Sequence, residues 1–167
     1  MTETGFYLVD LDLGLKLYSD LKGVTVEKEY YSNGVLKHHA YYLEKKLHGP
    51  SRFYSEQGTL LSESWFFLDQ RQGRTTRFYS SAKLYCIERY KGDQYEGMQV
   101  YFYEEGHIKT ELPYFKGKLH GEVKLFWPNK GLKRRCQFSN GKKLELDQMW
   151  DEHGNELCTR AAAAALS

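Results

Sequence analysis

The residues able to do chemistry are scattered along the chain rather than grouped. Three thiols (Cys86, Cys136, Cys158) and six imidazoles (His38, His39, His48, His107, His120, His153) are available for nucleophilic, acid–base or metal chemistry. Their spacings match no metal-ligand pattern. His48 and His120 sit in the same local sequence, Lys-Leu-His-Gly, which reads as a positional role in a turn rather than as catalysis. Glu56, Glu104 and Glu105 lie beside turns without a facing acid, so paired-carboxylate hydrolysis is not indicated. The glycines punctuate apolar runs and nowhere form a phosphate-cradling loop ahead of a helix. No catalytic residue, cofactor or metal is expected, and the chain reads as a non-enzyme.

What must position these residues is a repeat. Steps of 24 from Tyr30 land on Tyr54, Phe78, Phe102, Phe126 and Trp150, and from Tyr42 on Phe66, Tyr90, Tyr114 and Phe138. With aromatics at 16% of the chain, such columns arise by chance with odds of roughly 10⁻⁹. Leu36, Leu60, Leu84, Ile108 and Leu132 form a third column, and Gly49, Gly73, Gly97 and Gly121 a fourth. Phe6 and Tyr18 fall on the aromatic columns, so residues 1–22 read as a worn first unit. Residues 1–158 then form one array, with 159–167 an Ala-rich tail.

Each unit predicts two strands. A tight turn such as Ser32-Asn33-Gly34 pairs Tyr30 with Leu36, and alternation is expected to carry the same face along to Tyr42. The second connection, Glu44 to Gly49, reads as longer and polar, and the fifth unit, through Trp127-Pro128-Asn129-Lys130-Gly131, as carrying one extra turn residue. The fold class is all-β: a single elongated antiparallel meander of stacked β-hairpins, about 12–14 strands, with the aromatic columns as its buried core and a possible short C-terminal helix in the tail. Cys86 and Cys136 fall roughly 19 Å apart in such a ribbon, too far for a disulfide, and Cys136 and Cys158 are also too far apart.

The unit, a glycine, an aromatic pair, a Gly-type turn, Leu, a second aromatic and a Lys-Leu-His-Gly-like return, resembles the MORN repeat variant of YwqK-type antitoxin-like bacterial proteins. The resemblance runs over about residues 23–157 and is strongest at 49–58 and 97–121. It implies an extended hairpin array acting as a binding scaffold for proteins, with lipid binding and dimerisation known among related arrays, and no catalytic residues.

Alternate positions vary from unit to unit, and the residue types found there are those enriched at binding hot spots. The candidate partner-binding residues are Tyr31, Trp65, Tyr79, Tyr101, Tyr103 and Trp127. From Lys116 to Lys143, nine cations face the single acid Glu122, and Lys124, Lys130, Lys133, Arg134 and Arg135 form a candidate basic patch. The expected function is a non-enzymatic protein–protein interaction scaffold that binds along the varied aromatic face with the basic half assisting. The alternatives are a peripheral binder of anionic membrane surfaces and an antitoxin-like neutralising protein. A protein partner, anionic lipid or a second copy through a sheet face or edge are the partners considered, and nucleic acid is not expected.

Composition agrees with this class. Lys and Arg number 24 against 22 Asp and Glu, so no global field names a partner. No apolar run approaches the ~20 residues that span a bilayer. The first residues lack a basic leader pattern, and three cysteines suit a reducing compartment, so a cytoplasmic location is expected.

Overall fold

Two turn signals in every 24 residues fold the chain into hairpins throughout. The computed structural model describes residues 5–157. Its strands are β1 (Gly5–Asp10), β2 (Leu15–Asp20), β3 (Val24–Tyr30), β4 (Leu36–Leu43), β5 (Lys46–Leu47), β6 (Gly49–Tyr54), β7 (Leu60–Phe67), β8 (Gln70–Phe78), β9 (Leu84–Lys91), β10 (Gln94–Tyr95), β11 (Gly97–Phe102), β12 (Ile108–Phe115), β13 (Lys118–Leu119), β14 (Gly121–Phe126), β15 (Leu132–Ser139), β16 (Lys142–Trp150) and β17 (Glu156–Leu157). One antiparallel sheet runs β3, β4, β6, β7, β8, β9, β11, β12, β14, β15, β16, β17, with the two-residue strands β5, β10 and β13 attached to β4, β9 and β12. The described residues contain no helix, and the expected all-β meander of stacked hairpins is what forms. Cys158 and the Ala-rich tail, with its possible helix, lie outside the described residues.

The tight turns follow one design. Tyr31 N–H donates to the Val35 carbonyl and Gly34 N–H to the Tyr31 carbonyl, and the same pair of bonds recurs from Ser55, Tyr79, Tyr103 and Trp127. Gly34, Gly58 and Gly106 take the left-handed position, and Ala82 and Lys130 fill it in the third and fifth units. The fifth turn therefore has no extra residue; Lys130 simply stands where glycine stands elsewhere. The second connection is also corrected. It is a two-residue turn with both central residues at positive φ, Glu44-Lys45, Leu68-Asp69, Gly92-Asp93, Lys116-Gly117 and Asn140-Gly141, the pattern that matches strand twist.

A second correction concerns the faces. In five successive repeat hairpins the register shifts by one residue beside the tight turn: Glu29 pairs with His38 but Tyr30 with Leu36, leaving Lys37 as the extra residue. Leu61, Tyr85, Lys109 and Lys133 are its equivalents. Such a bulge reverses which side the following residues face. Phe78, Leu60 and Leu84 accordingly line one hollow with Glu63, Arg74, Thr76 and Ile87, whereas Phe66 and Tyr42 line another with Ser51, Ser62 and Ser64. The two aromatic columns lie on opposite faces. We call the Tyr42–Phe66–Tyr90 side face A and the other face B.

The aromatics are a spine but not a buried one. Of the eleven, only Tyr90 is buried, at 5% exposure, while Tyr30 is 55% exposed and the others are half-buried. A sheet one layer thick has nothing stacked on most of its surface, so each ring is covered only by its neighbours along and across the strands. The fully covered positions are small or polar instead: Ala40, Ser51, Thr75, Cys86, Glu88, Gln99, Val123 and Cys136.

The N-terminal segment does not extend the ribbon as a first unit. β1 and β2 form a separate two-stranded sheet laid over face B. Its inward side chains enter notches left by the repeated glycines: a Cβ on Gly49 would meet the Phe6 ring at 2.7 Å, one on Gly73 would meet Leu8 at 2.9 Å, and one on Gly97 would meet Leu13 at 3.0 Å. Phe6 packs edge-on against Tyr41 and Trp65. Arg89, itself mostly buried, pairs with Asp10 at 3.6 Å and with Asp12, fastening the hairpin to the sheet.

Candidate functional site

The candidate partner-binding residues are not gathered on one surface. Four form a ladder of struts along the tight-turn edge. Tyr31 donates its hydroxyl proton to the Tyr54 carbonyl (2.8 Å), Tyr79 to that of Phe102 (2.8 Å), Tyr103 to that of Phe126 (2.9 Å), and the Trp127 indole N–H to that of Trp150 (3.0 Å). Each ties one hairpin to the next. The bulge residue of the same unit covers the ring: Lys37 over Tyr31, Lys109 over Tyr103, and Lys133 at 3.9 Å over Trp127. Tyr101 lies on face A and donates to Glu88. Trp65 lies on face B against the N-terminal hairpin.

The candidate basic patch is largely matched by acids from neighbouring strands. Arg134 makes a bidentate pair with Asp147 (2.7 and 2.8 Å), which Lys143 also reaches. That Arg134 bond holds the Asp147 carboxyl down to about 2. Arg135 bonds to Gln148 and approaches Glu122 at 3.7 Å, and Lys124 lies 4.0 Å from Glu111. Lys130 remains exposed in its turn. The sequence excess counted cations along one stretch, but sheet pairing brings Glu111 and Asp147 in from outside it.

A polar cluster that the sequence reading missed occupies the middle of face A. Glu88, 2% exposed, accepts from Tyr95 (3.0 Å) and Tyr101 (2.7 Å) on one oxygen and from Tyr90 (3.1 Å) on the other, which also forms an ion pair with Arg77 at 3.2 Å. Burial drives the Tyr95 hydroxyl up to about 12 and those of Tyr90 and Tyr101 upward as well, so all three stay protonated donors. Neighbouring Cys86 is pushed up to about 11 by burial, which makes it an inert thiol. The signal was in the column Ala40, Ser64, Glu88, Leu112, Cys136, where one carboxylate interrupts small and apolar residues.

Two of the histidines act at turns: His48 Nδ1 accepts from Leu68 N–H (3.4 Å) and His120 Nδ1 from Asn140 N–H (3.3 Å), whereas His38 and His39 lie within β4. Among the described residues no three His, Cys, Asp or Glu side chains gather as metal ligands, and no helix is long and apolar enough to cross a membrane.

Face B also carries a cleft of about 540 Å³ between the ribbon and the N-terminal hairpin. Residues 7–12 supply one wall, and Glu63, Trp65, Arg74 and Arg89 the other. No β2 residue lines it, so the cleft opens along the other edge of β1, with which no strand among the described residues pairs. Tyr7 and Val9 are exposed on β1, and Leu11, beyond its end, is 79% exposed.

A family model described as MORN repeat variant matches residues 25–44, 95–116 and 119–140. Three stretches of the chain thus match the MORN repeat variant. Each matched MORN-variant segment spans one tight-turned hairpin, and the stretch between the first two matches keeps the same turns and bulges. MORN repeats are often involved in protein or membrane binding and are generally non-enzymatic binding modules. No curated protein matches the chain. The face B cleft draws its ribbon wall, Glu63, Trp65, Arg74 and Arg89, entirely from outside the matched MORN-variant segments.

Proposed function

We propose that this MORN-variant array is a non-enzymatic scaffold that binds a protein partner by taking an extended segment of it into the cleft on face B. The observation that carries the reading is the open edge of β1 above Trp65. An unpaired edge presents a row of backbone donors and acceptors, and an added strand is the ligand that satisfies them all. Exposed Tyr7 and Val9 on one wall and Trp65 on the other supply the apolar contact that a bare edge lacks. Arg74 in the ribbon wall favours a segment carrying an acid, since Glu63 is already paired with Arg52 at 2.5 Å.

Of the six aromatics nominated from sequence, this reading retains Trp65. The hydroxyls of Tyr31, Tyr79 and Tyr103 and the indole N–H of Trp127 are committed to backbone carbonyls. The test is capture from the native cell with the full chain and with Trp65→Ala, Tyr7→Ser and Tyr103→Phe. Recovery of one partner that falls at least tenfold in the first two and holds in the third supports the cleft. Loss in Tyr103→Phe alone, or flotation with anionic vesicles in place of a protein partner, overturns it.

A further inference from the structure

Face A carries a second hollow, separate from the cleft. Cross-strand pairs set its rows. Gly49, Phe66 and Arg71 lie side by side in one row, Ser51 and Ser64 in the next, and His38, Phe53, Ser62 and Arg77 in the third. The middle row is low because its members are small. In the following units the equivalent pairs are Thr75 with Glu88, Gln99 with Leu112 and Val123 with Cys136, each bulkier than the two serines. The result is a hollow of about 340 Å³ with a hydroxyl floor and walls of Tyr42, Leu47, Phe53, Phe66 and two guanidinium groups. Its size suits a ligand of one ring.

The charges are unequal. Arg77 is matched by Glu88 at 3.2 Å. The Arg71 guanidinium has no carboxylate partner among the described residues, Asp93 being bonded to the Arg71 backbone N–H at 2.8 Å; the guanidinium lies 4.5 Å over the Tyr90 ring and 5.8 Å from that of Phe66, and its Nε is buried without an acceptor. A cation held against rings with an unfilled donor is a site for an anion. On the floor, Ser64 accepts from Thr75 at 3.1 Å, and Ser51 is bonded to His38 at 2.9 Å, whose ring stacks on Phe53. One net positive charge calls for one carboxylate, whereas a phosphate dianion exceeds it.

We propose that this trough binds a carboxylate borne on an apolar, ring-sized body, with Arg71 holding the charge and Phe53 and Phe66 flanking the body. Two sources carry such a group, a free small acid and the C-terminal end of a partner chain.

The probe is N-acetylphenylalanine, titrated into the full chain and followed by backbone amide NMR, beside its amide and inorganic phosphate. Saturable shifts confined to β6, β7 and β8, at least tenfold weaker with the amide and at least tenfold weaker in Arg71→Gln, are expected, with Lys83→Gln unchanged. A tetrapeptide ending in phenylalanine separates the sources: equal affinity assigns a free acid, and a tenfold gain assigns a chain end. Equal binding of acid and amide, displacement of the acid by equimolar phosphate, or unchanged affinity in folded Arg71→Gln overturns the site. If Arg71→Gln fails to fold, Ser62→Phe narrows the trough with Arg71 in place and must weaken the acid by the same factor.

Discussion

Leu68 holds a φ of 51° while its side chain stays largely exposed. A non-glycine residue in the left-handed region costs about 1–2 kcal/mol, and asparagine tolerates it better. Leu68→Asn should therefore raise stability by about 1 kcal/mol in urea unfolding. The opposite applies at Glu88, where truncation strands three tyrosine hydroxyls and Arg77. Glu88→Ala should cost about 3 kcal/mol, read by the same measurement, with Glu88→Gln intermediate. Protonation gives a third expectation. Burial lowers the folded-state values of His38, His39 and His48, so the unfolded chain takes up protons more readily than the folded one. The stability these groups contribute is complete above the ordinary value of about 6.5 and is lost as pH falls below it toward their folded values. The urea midpoint should drop between pH 7.5 and 5.5, and His48→Gln should make that drop shallower.

Among the elements, the N-terminal hairpin is fastened by knobs in glycine notches. Gly73→Ala places a methyl 2.9 Å from Leu8 at a φ of 65°, so it should loosen β1 and β2. Hydrogen exchange should show faster exchange over residues 5–20 with β8 and β9 still protected, and uniform loss would contradict the arrangement. This hairpin also marks the limit of what the sequence could reveal. Tyr18 and Phe6 match the aromatic columns by residue type, but type says nothing about which glycine receives the ring, and packing into Gly49 decided the outcome. The bulges escaped for a related reason. A column of rings every 24 residues survives a one-residue slip that recurs in every unit, so period alone could not tell that Tyr54 and Phe66 lie on opposite faces. Most tight turns, the strand pairing and the fold class were legible because Gly, Asn and the aromatics mark them directly, whereas two-residue turns such as Glu44-Lys45 and Leu68-Asp69 carry neither Gly nor Asn and read as longer connections. The cleft and the trough were not, because each joins residues from several strands through small or unremarked side chains such as Ser64.

At the scale of the whole ribbon, contacts run almost entirely between neighbouring strands, so stability is a sum of adjacent hairpin terms rather than the property of one core. Opening should begin at the ends, at β3 and at β16 and β17. Residues around Glu88, where the hydrogen-bonded cluster and the docked hairpin coincide, should open last. Site-resolved exchange should grade along the chain instead of giving one global rate, and fluorescence and circular dichroism melts should not coincide. The single-layer build has one more result. Ser64 floors the trough and Trp65 walls the cleft, yet the two are consecutive residues on β7. Occupants of the two sides would be parted by a wall one peptide thick, so whatever tilts that strand from behind is felt at once in front.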